Sequence, residues 1–207
     1  MLFNDNSIIL GLTGMSGAGK TTACKAFRDI GFSIVDCDFV ARQIVEVGKP
    51  ALKELSDRFD DVILPDGSLN RRKIADMIFS DKDKLKLFND TVYPYILYKV
   101  ISDVSDYISE GKRLILIDAP TLFESGADKI CDKIISVVSD KEKCIERIKE
   151  RDNLTYEQAT NRLSVQHDKD FYIEKSDYCI DNCGEYRELI EKAHTLALRI
   201  GELYEEK

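Results

Sequence analysis

The sequence lacks the features that would place it in a membrane, outside the cell or along a nucleic acid. No run approaches the roughly 18 consecutive apolar residues of a membrane span. Met1–Asn6 is short and polar, without the basic region, apolar run and cleavage site of a signal peptide. The six cysteines form no Cys-x-x-Cys pair and no set at zinc-ligand spacing. Reduced structural thiols in a cytoplasmic protein are the plain reading. Histidine occurs only twice, at His167 and His194, and neither setting suggests catalysis. Net positive charge is missing too: 30 Lys and Arg against 38 Asp and Glu leave −8. That argues against a surface built for nucleic acid, but it leaves room for a small polyanion in a local basic pocket. There is no internal repeat and no low-complexity segment.

What is present suits one compact domain. Of 207 residues, 43% are hydrophobic and 33% charged, enough for a core with long exposed helices around it. Ser7–Thr13 is a nearly continuous apolar run, the pattern of a strand buried on both faces of a parallel sheet. Gly14–Gly19 make a glycine-rich turn, and Lys20–Ile30 carry a helical apolar face ended by Gly31. Phe32–Asp36, Arg113–Asp118, Lys133–Ser139 and Asp177–Asp181 read as further short strands, with β-branched residues dominating the second and third of these. Asp140 is placed to cap a following helix, Thr155–Gln158 form a capping box, and Glu185–Tyr204 is an amphipathic helix. Residues 39–111 are mostly helical, with a break or kink expected at Pro94. Strands alternating with helices predict an α/β fold with a parallel sheet. The long helical stretch between the second and third strands predicts an inserted subdomain.

Gly14-Met-Ser-Gly-Ala-Gly-Lys-Thr21 matches the phosphate-binding pattern G-x-x-x-x-G-K-[ST], directly after a strand and opening a helix. Glycines let successive N–H groups converge on an anion, and the helix N-terminus adds its positive end. Candidate nucleotide contacts are therefore Gly14, Ser16, Gly17, Ala18, Gly19, Lys20, Thr21 and Thr22. Lys20 reaches the β- and γ-phosphates, and Thr21 offers its hydroxyl to Mg²⁺. ATP and Mg²⁺ are the expected cofactors.

Three features point to an acceptor for the γ-phosphoryl group. Asp36 and Asp38 lie at the carboxyl end of the second strand, the ligand edge of an open α/β sheet. A carboxylate there can take a proton from an acceptor hydroxyl; a solvated turn or helix cap is the alternative for an isolated pair. Arg147 and Arg151 share a helix face and can close over ATP, or else form ordinary salt bridges with Glu146 and Glu150. Arg42, Arg71, Arg72 and Lys73 lie in the helical insert, where a phosphate-bearing acceptor needs cations; a solvated helix face is the alternative. Asp118 ends the third strand and, like Asp38, could reach Mg²⁺ through water; a turn cap is the alternative for Asp118. Two rival functions share the loop: a kinase for nucleosides or nucleoside monophosphates, and a non-catalytic nucleotide-binding module. The Asp36–Asp38 pair argues against an acceptor phosphate, which it would repel.

An ordered series of segments resembles the dephospho-coenzyme A kinase family over roughly Ile8–Ile200. Gly11-Leu-Thr-Gly14 leads into the loop. Asp36-Cys-Asp38 with Ala41-Arg42 matches Asp-Ala-Asp and Ala-Arg, and Asp66-Gly-Ser-Leu-Asn-Arg71 matches Asp-Gly-x-Leu-x-Arg. Pro120-Thr-Leu-Phe-Glu124, Arg147–Asp152, Gln166 and Ser176–Asn182 continue the series. Tyr93-Pro94 stands where the family usually has His-Pro, and Thr121 replaces a leucine. The resemblance implies a three-layer kinase core with a five-stranded parallel sheet, spanning 1–38, 112–140 and 177–207. A helical coenzyme A-binding insert of about 39–111 and a lid of about 141–176 complete the chain. It implies transfer of the ATP γ-phosphoryl group to the ribose 3′-hydroxyl of dephospho-coenzyme A. Asp38 would be the base, Arg42 an acceptor contact, and Arg147 and Arg151 lid residues. The implied partners are these two small molecules, with no nucleic acid and no membrane.

Overall fold

The computed structural model describes residues 6–205; residues 1–5 and 206–207, the outer ends of the expected core segments, lie outside the described residues. Five strands form the sheet: β1 (Ile8–Gly14), β2 (Ser33–Asp36), β3 (Leu114–Asp118), β4 (Lys133–Val138) and β5 (Tyr178–Asp181). All pair in parallel, in the order β2-β3-β1-β4-β5. β1 is central and buried along its whole length, as its unbroken apolar run requires.

The two-residue period of the strands divides the core. Ile8, Leu10, Leu12 and Leu116 face one cluster, while Ile9, Ile115 and Ile117 face the other. On the first face lie α1 (Lys20–Ile30), α6 (Lys141–Asp152), α7 (Tyr156–Ser164), α8 (Lys169–Lys175) and α9 (Tyr186–Glu205), with α1 packed closely against α9. On the second face lie α2 (Cys37–Gln43), α3 (Pro50–Arg58), α4 (Arg71–Ser80) and α5 (Lys82–Ser109), the first three packed on α5. Pro50 opens α3 at its first position, where a missing N–H costs nothing.

Two local expectations are corrected. The helix does not break at Pro94: α5 runs unbroken for 28 residues. Pro94 is exposed, so the carbonyl it leaves without a donor faces water, while Val92, Ile96, Val100 and Val104 fasten the helix to the core. Their burial outweighs the roughly 3 kcal/mol that an internal proline costs. Asp140 occupies the N-cap position of α6 but makes no capping hydrogen bond. Its carboxylate instead faces the Lys169 ammonium at 3.6 Å. The capping box at Thr155 and Gln158 forms in full.

The parallel register fixes where chemistry can occur. Gly14 ends level with Val137, and Asp36 level with Asp118. The loop after β1 and the carboxylates ending β2 and β3 therefore share one edge of the sheet, the edge at which open α/β folds bind ligands.

Candidate active site

The loop between β1 and α1 is shaped by its neighbours as much as by its own residues. Gly14 has φ 143°, and a Cβ there would sit 2.1 Å from the Val137 carbonyl oxygen. Gly17 has φ 78°, and a Cβ would meet the Cys144 carbonyl oxygen of α6 at 2.6 Å. Both positions exclude a side chain twice over, by conformation and by space. The Ala18 N–H donates to the Met15 carbonyl at 3.1 Å, closing the turn. Among the described residues, the N–H groups of Gly17, Gly19, Lys20 and Thr21 have no protein acceptor. Free N–H groups on a tight turn at a helix N-terminus are an anion cradle. The Thr22 N–H is already used by the Gly19 carbonyl at 3.0 Å, and that of Ser16 donates to Gln166 Oε1 at 2.8 Å.

Three residues brace the loop from behind. Asn182, just past β5, donates from Nδ2 to the Ala18 carbonyl at 2.7 Å. Arg147 on α6 donates to the Gly17 carbonyl at 3.3 Å, the Ser139 hydroxyl at 3.3 Å and the Asn182 carbonyl at 3.2 Å. Ser139 donates to that same Asn182 carbonyl at 2.7 Å. Arg151, one turn further on, does not join them. It makes a two-pronged pair with the neighbouring Asp152 at 2.7 and 2.8 Å, and Asp152 also accepts from Arg162 at 2.7 Å. Neither arginine pairs with Glu146 or Glu150 among the described residues.

On the acceptor side, Lys20 Nζ is ion-paired with Asp118 Oδ1, their side chains only 15% and 13% exposed. The Cys24 thiol lies close enough to feel the Asp118 carboxylate. Burial, with Asp118 second, pushes the Cys24 and Cys37 thiols up to about 12. Both therefore stay protonated and offer no competing thiolate nucleophile beside the site. Asp36 caps α2, accepting from the Phe39 N–H at 3.0 Å. Asp38, in the first turn of that helix, is exposed, and its carboxylate has no hydrogen bond or ion pair among the described residues. Arg71 Nη2 lies 3.4 Å from the Arg42 carbonyl, so these two exposed arginines stand together. Lys73 is turned toward Asp61 at 3.4 Å.

A loop with free amides, a lysine held beside a carboxylate and an unpaired aspartate on the same edge is a phosphoryl-transfer arrangement, and the comparisons give its lineage. The family model for dephospho-CoA kinase matches residues 8–188. The chain belongs to the dephospho-CoA kinase family. It is 36% identical over 174 residues to a dephospho-CoA kinase of Listeria monocytogenes, covering 84% of this chain and 87% of the relative. With the dephospho-CoA kinase of Bacillus licheniformis it shares 32% identity over 191 residues, covering 92% and 95%. The crystal structure of TT1252 from Thermus thermophilus superposes with a TM-score of 0.80 at 26% identity, covering 94% of this chain and 98% of that one.

Two of the places where this chain departs from the family pattern, Tyr93 and Thr121, meet in space. The Tyr93 side chain on α5 neighbours that of Thr121, just past β3. Burial, and then the Glu124 carboxylate, raise the Tyr93 phenol above its ordinary range, so it remains a neutral hydrogen-bonding group. Glu124 in turn lies 3.5 Å from His167 Nε2. Gln166, Asn182 and Ser139 are site neighbours that residue chemistry alone did not single out. In the sequence Gln166 and Asn182 are marked only by the family series, and Ser139 only by its place at the end of a strand.

Proposed function

We propose that this protein catalyses the ATP-dependent phosphorylation of the ribose 3′-hydroxyl of dephospho-coenzyme A, releasing coenzyme A and ADP. The observation that carries the reading is the pairing of a free amide cradle with the unpaired Asp38 carboxylate on one sheet edge. Gly17, Gly19, Lys20 and Thr21 would receive the triphosphate, and Lys20 would exchange Asp118 for phosphate oxygens. Asp38, unpaired and exposed, is assigned as the base that takes the acceptor proton; a positioned base supplies about 10²–10⁴-fold. Asp36 holds the start of α2 and so fixes where Asp38 points. Arg42 and Arg71 are assigned to the acceptor, whose phosphates need cations. Arg147 keeps the loop in shape and, with Arg151, belongs to the segment we read as the lid. We assign residues 39–111 as the acceptor-binding insert and 141–176 as the lid, both mounted on the sheet core.

The donor set fits Mg²⁺. The Thr21 hydroxyl has no hydrogen-bond partner among the described residues, and Asp38 and Asp118 supply hard oxygens on the same edge. No cluster of three or more His, Cys, Asp or Glu is found among the described residues, and none is needed. Mg²⁺ in kinases is held by one or two protein oxygens, several waters and the phosphates themselves. When bound, it neutralises charge building on the transferred group. Among the described residues no helix is long and apolar enough to cross a membrane, and all six cysteines are free. We take the cytoplasm as the site of action.

The test is ADP release with Mg²⁺ and ATP, measured with no acceptor, with dephospho-coenzyme A, and with nucleosides or nucleoside monophosphates. The reading requires release to depend on dephospho-coenzyme A and to be matched by coenzyme A formation. Stimulation only by nucleosides or their monophosphates would replace it.

A further inference from the structure

Gln166 holds a position that neither its charge nor the family series explains. It follows α7, separated from Ser16 by 150 residues of sequence, and its Oε1 accepts from the Ser16 N–H at 2.8 Å. Among the described residues it is the sole side chain bonded to an N–H of the 14–21 loop. The stretch carrying it is tethered at both ends: Arg162 reaches Asp152 of α6 at 2.7 Å, and Lys169 reaches Asp181 of β5 at 2.9 Å. Its own N–H is used by the Leu163 carbonyl at 3.2 Å, so the side chain is presented from a fixed backbone.

The bond falls on Ser16, whose N–H is already taken and so is not among those left free for an anion. Ser16 precedes the cradle formed by Gly17, Gly19, Lys20 and Thr21, whose N–H groups stay free. Gln166 can therefore keep Ser16 while phosphate occupies the cradle. Arg147 and Asn182 donate to the Gly17 and Ala18 carbonyls, whereas Gln166 takes the opposite polarity, the Ser16 N–H. The loop is thus bonded through both its carbonyls and an N–H, with the N–H groups of Gly17, Gly19, Lys20 and Thr21 left free.

We propose that Gln166 is a positioning residue. It fixes the outer limb of the phosphate loop through Ser16 and makes nucleotide affinity depend on the placement of the α7–α8 segment. This rests on the reading of the loop as the ATP site. A single hydrogen bond of this kind contributes a factor of about 2–10 in an equilibrium constant, which sets the size of the effect.

The test compares Gln166→Met, which keeps the shape and loses the acceptor, with Gln166→Glu, which keeps an acceptor oxygen. Residue-resolved amide hydrogen exchange is recorded on the full chain without nucleotide, and steady-state kinetics are recorded with ATP. Gln166→Met should speed exchange at Ser16 about 2–10-fold and raise the KM for ATP by a similar factor, with kcat changing less. Gln166→Glu should return slow exchange at Ser16. Wild-type exchange at Ser16 in Gln166→Met, or fast exchange in both variants, overturns the proposal. A kcat loss with unchanged KM overturns the link to nucleotide affinity. The exchange measurement needs no nucleotide, so it stands apart from the ATP-site reading. That reading fails separately if ATP does not protect the amides of residues 17–21 in the wild type.

Discussion

Arg147 and Arg151 look alike in the sequence, four residues apart on one helix, and the structure separates them sharply. Changing each to alanine should therefore give different results. Arg147 is half-buried and donates three hydrogen bonds, at 3.2–3.3 Å, to the Gly17 and Asn182 carbonyls and the Ser139 hydroxyl. Bonds from a charged donor contribute about 1.5–3 kcal/mol each when short and well aligned. These are long, and the Asn182 carbonyl keeps Ser139 after truncation, so a total of about 1.5–3 kcal/mol is the reasonable sum. In a chain of this length each kcal/mol moves Tm by about 2–4 °C. Arg147→Ala should then lower Tm by about 3–12 °C. Arg151 is exposed, and its partner Asp152 retains Arg162 after truncation. Its loss should cost under about 0.5 kcal/mol, or less than about 2 °C.

The assay is calorimetric unfolding of both variants and wild type at one pH and ionic strength, repeated with saturating ATP. Arg147→Ala should also gain less stabilisation from ATP, because the Gly17 carbonyl it releases is part of the loop that must cradle phosphate. Equal Tm values for the two variants would refute the view that Arg147 braces the loop. Equal stabilisation by ATP would show that the brace, though present, does not matter to the nucleotide.

Asp38→Asn should cut kcat by about 10²–10⁴-fold while the Kd for ATP, read by calorimetric titration, stays near wild type; full activity across the pH range would remove Asp38 as base. Gly17→Ala places a Cβ 2.6 Å from the Cys144 carbonyl oxygen in a positive-φ position, so it should both lower Tm and abolish ADP release; a stable, active variant would contradict the close packing of the loop on α6. Asp118→Asn leaves the mostly buried Lys20 ammonium without its partner, and phosphate oxygens would then supply the missing contact. The free protein should lose stability while ATP binding in the presence of a chelator tightens several-fold, and unchanged or weaker chelated-ATP binding argues against the exchange of partners. The Lys169 hydrogen bond holds the Asp181 carboxyl at about 2, down from 3.8. A lowered folded-state value means its stabilisation is complete above about pH 4 and lost as pH falls from there toward 2. Because the pair is a third to a half exposed, the effect is at most about 1 kcal/mol, seen as a shallower acid limb for Asp181→Asn in urea titrations.

The fold was legible because its signals are local. An unbroken apolar run ending in a glycine loop can only be a central parallel strand feeding a helix, and the observed β1 and α1 follow from it. The continuity of α5 through Pro94 has the opposite origin. Proline acts on its own turn, but whether a helix survives it depends on residues a turn or more away and on the sheet they reach. Asp140 misled in the same way: a good capping residue in the right place was drawn instead toward Lys169, 29 residues downstream. At the site, residue types named the loop and the carboxylates, yet not the parts that hold them. Gln166, Asn182 and Ser139 act through single bonds to backbone atoms 130 or more residues away or to one another. Nothing in the composition or spacing of their own segments announces such a partner.

This division also explains how a chain of net charge −8 can serve two polyanionic substrates. The cradle is made of amide N–H groups and a helix end, which carry partial positive charge but count as zero in the sum. Lys20 is neutralised by Asp118, and Arg147 is engaged with carbonyls rather than carboxylates. Few full cations are therefore exposed at the nucleotide site before substrate arrives, and the attraction is short-ranged and directional. A field of that kind selects phosphate by where its oxygens sit, whereas a broadly basic surface would attract any polyanion. A net charge of −8 is therefore compatible with a local site for a compact polyanion, since that site is built from amides and a helix end.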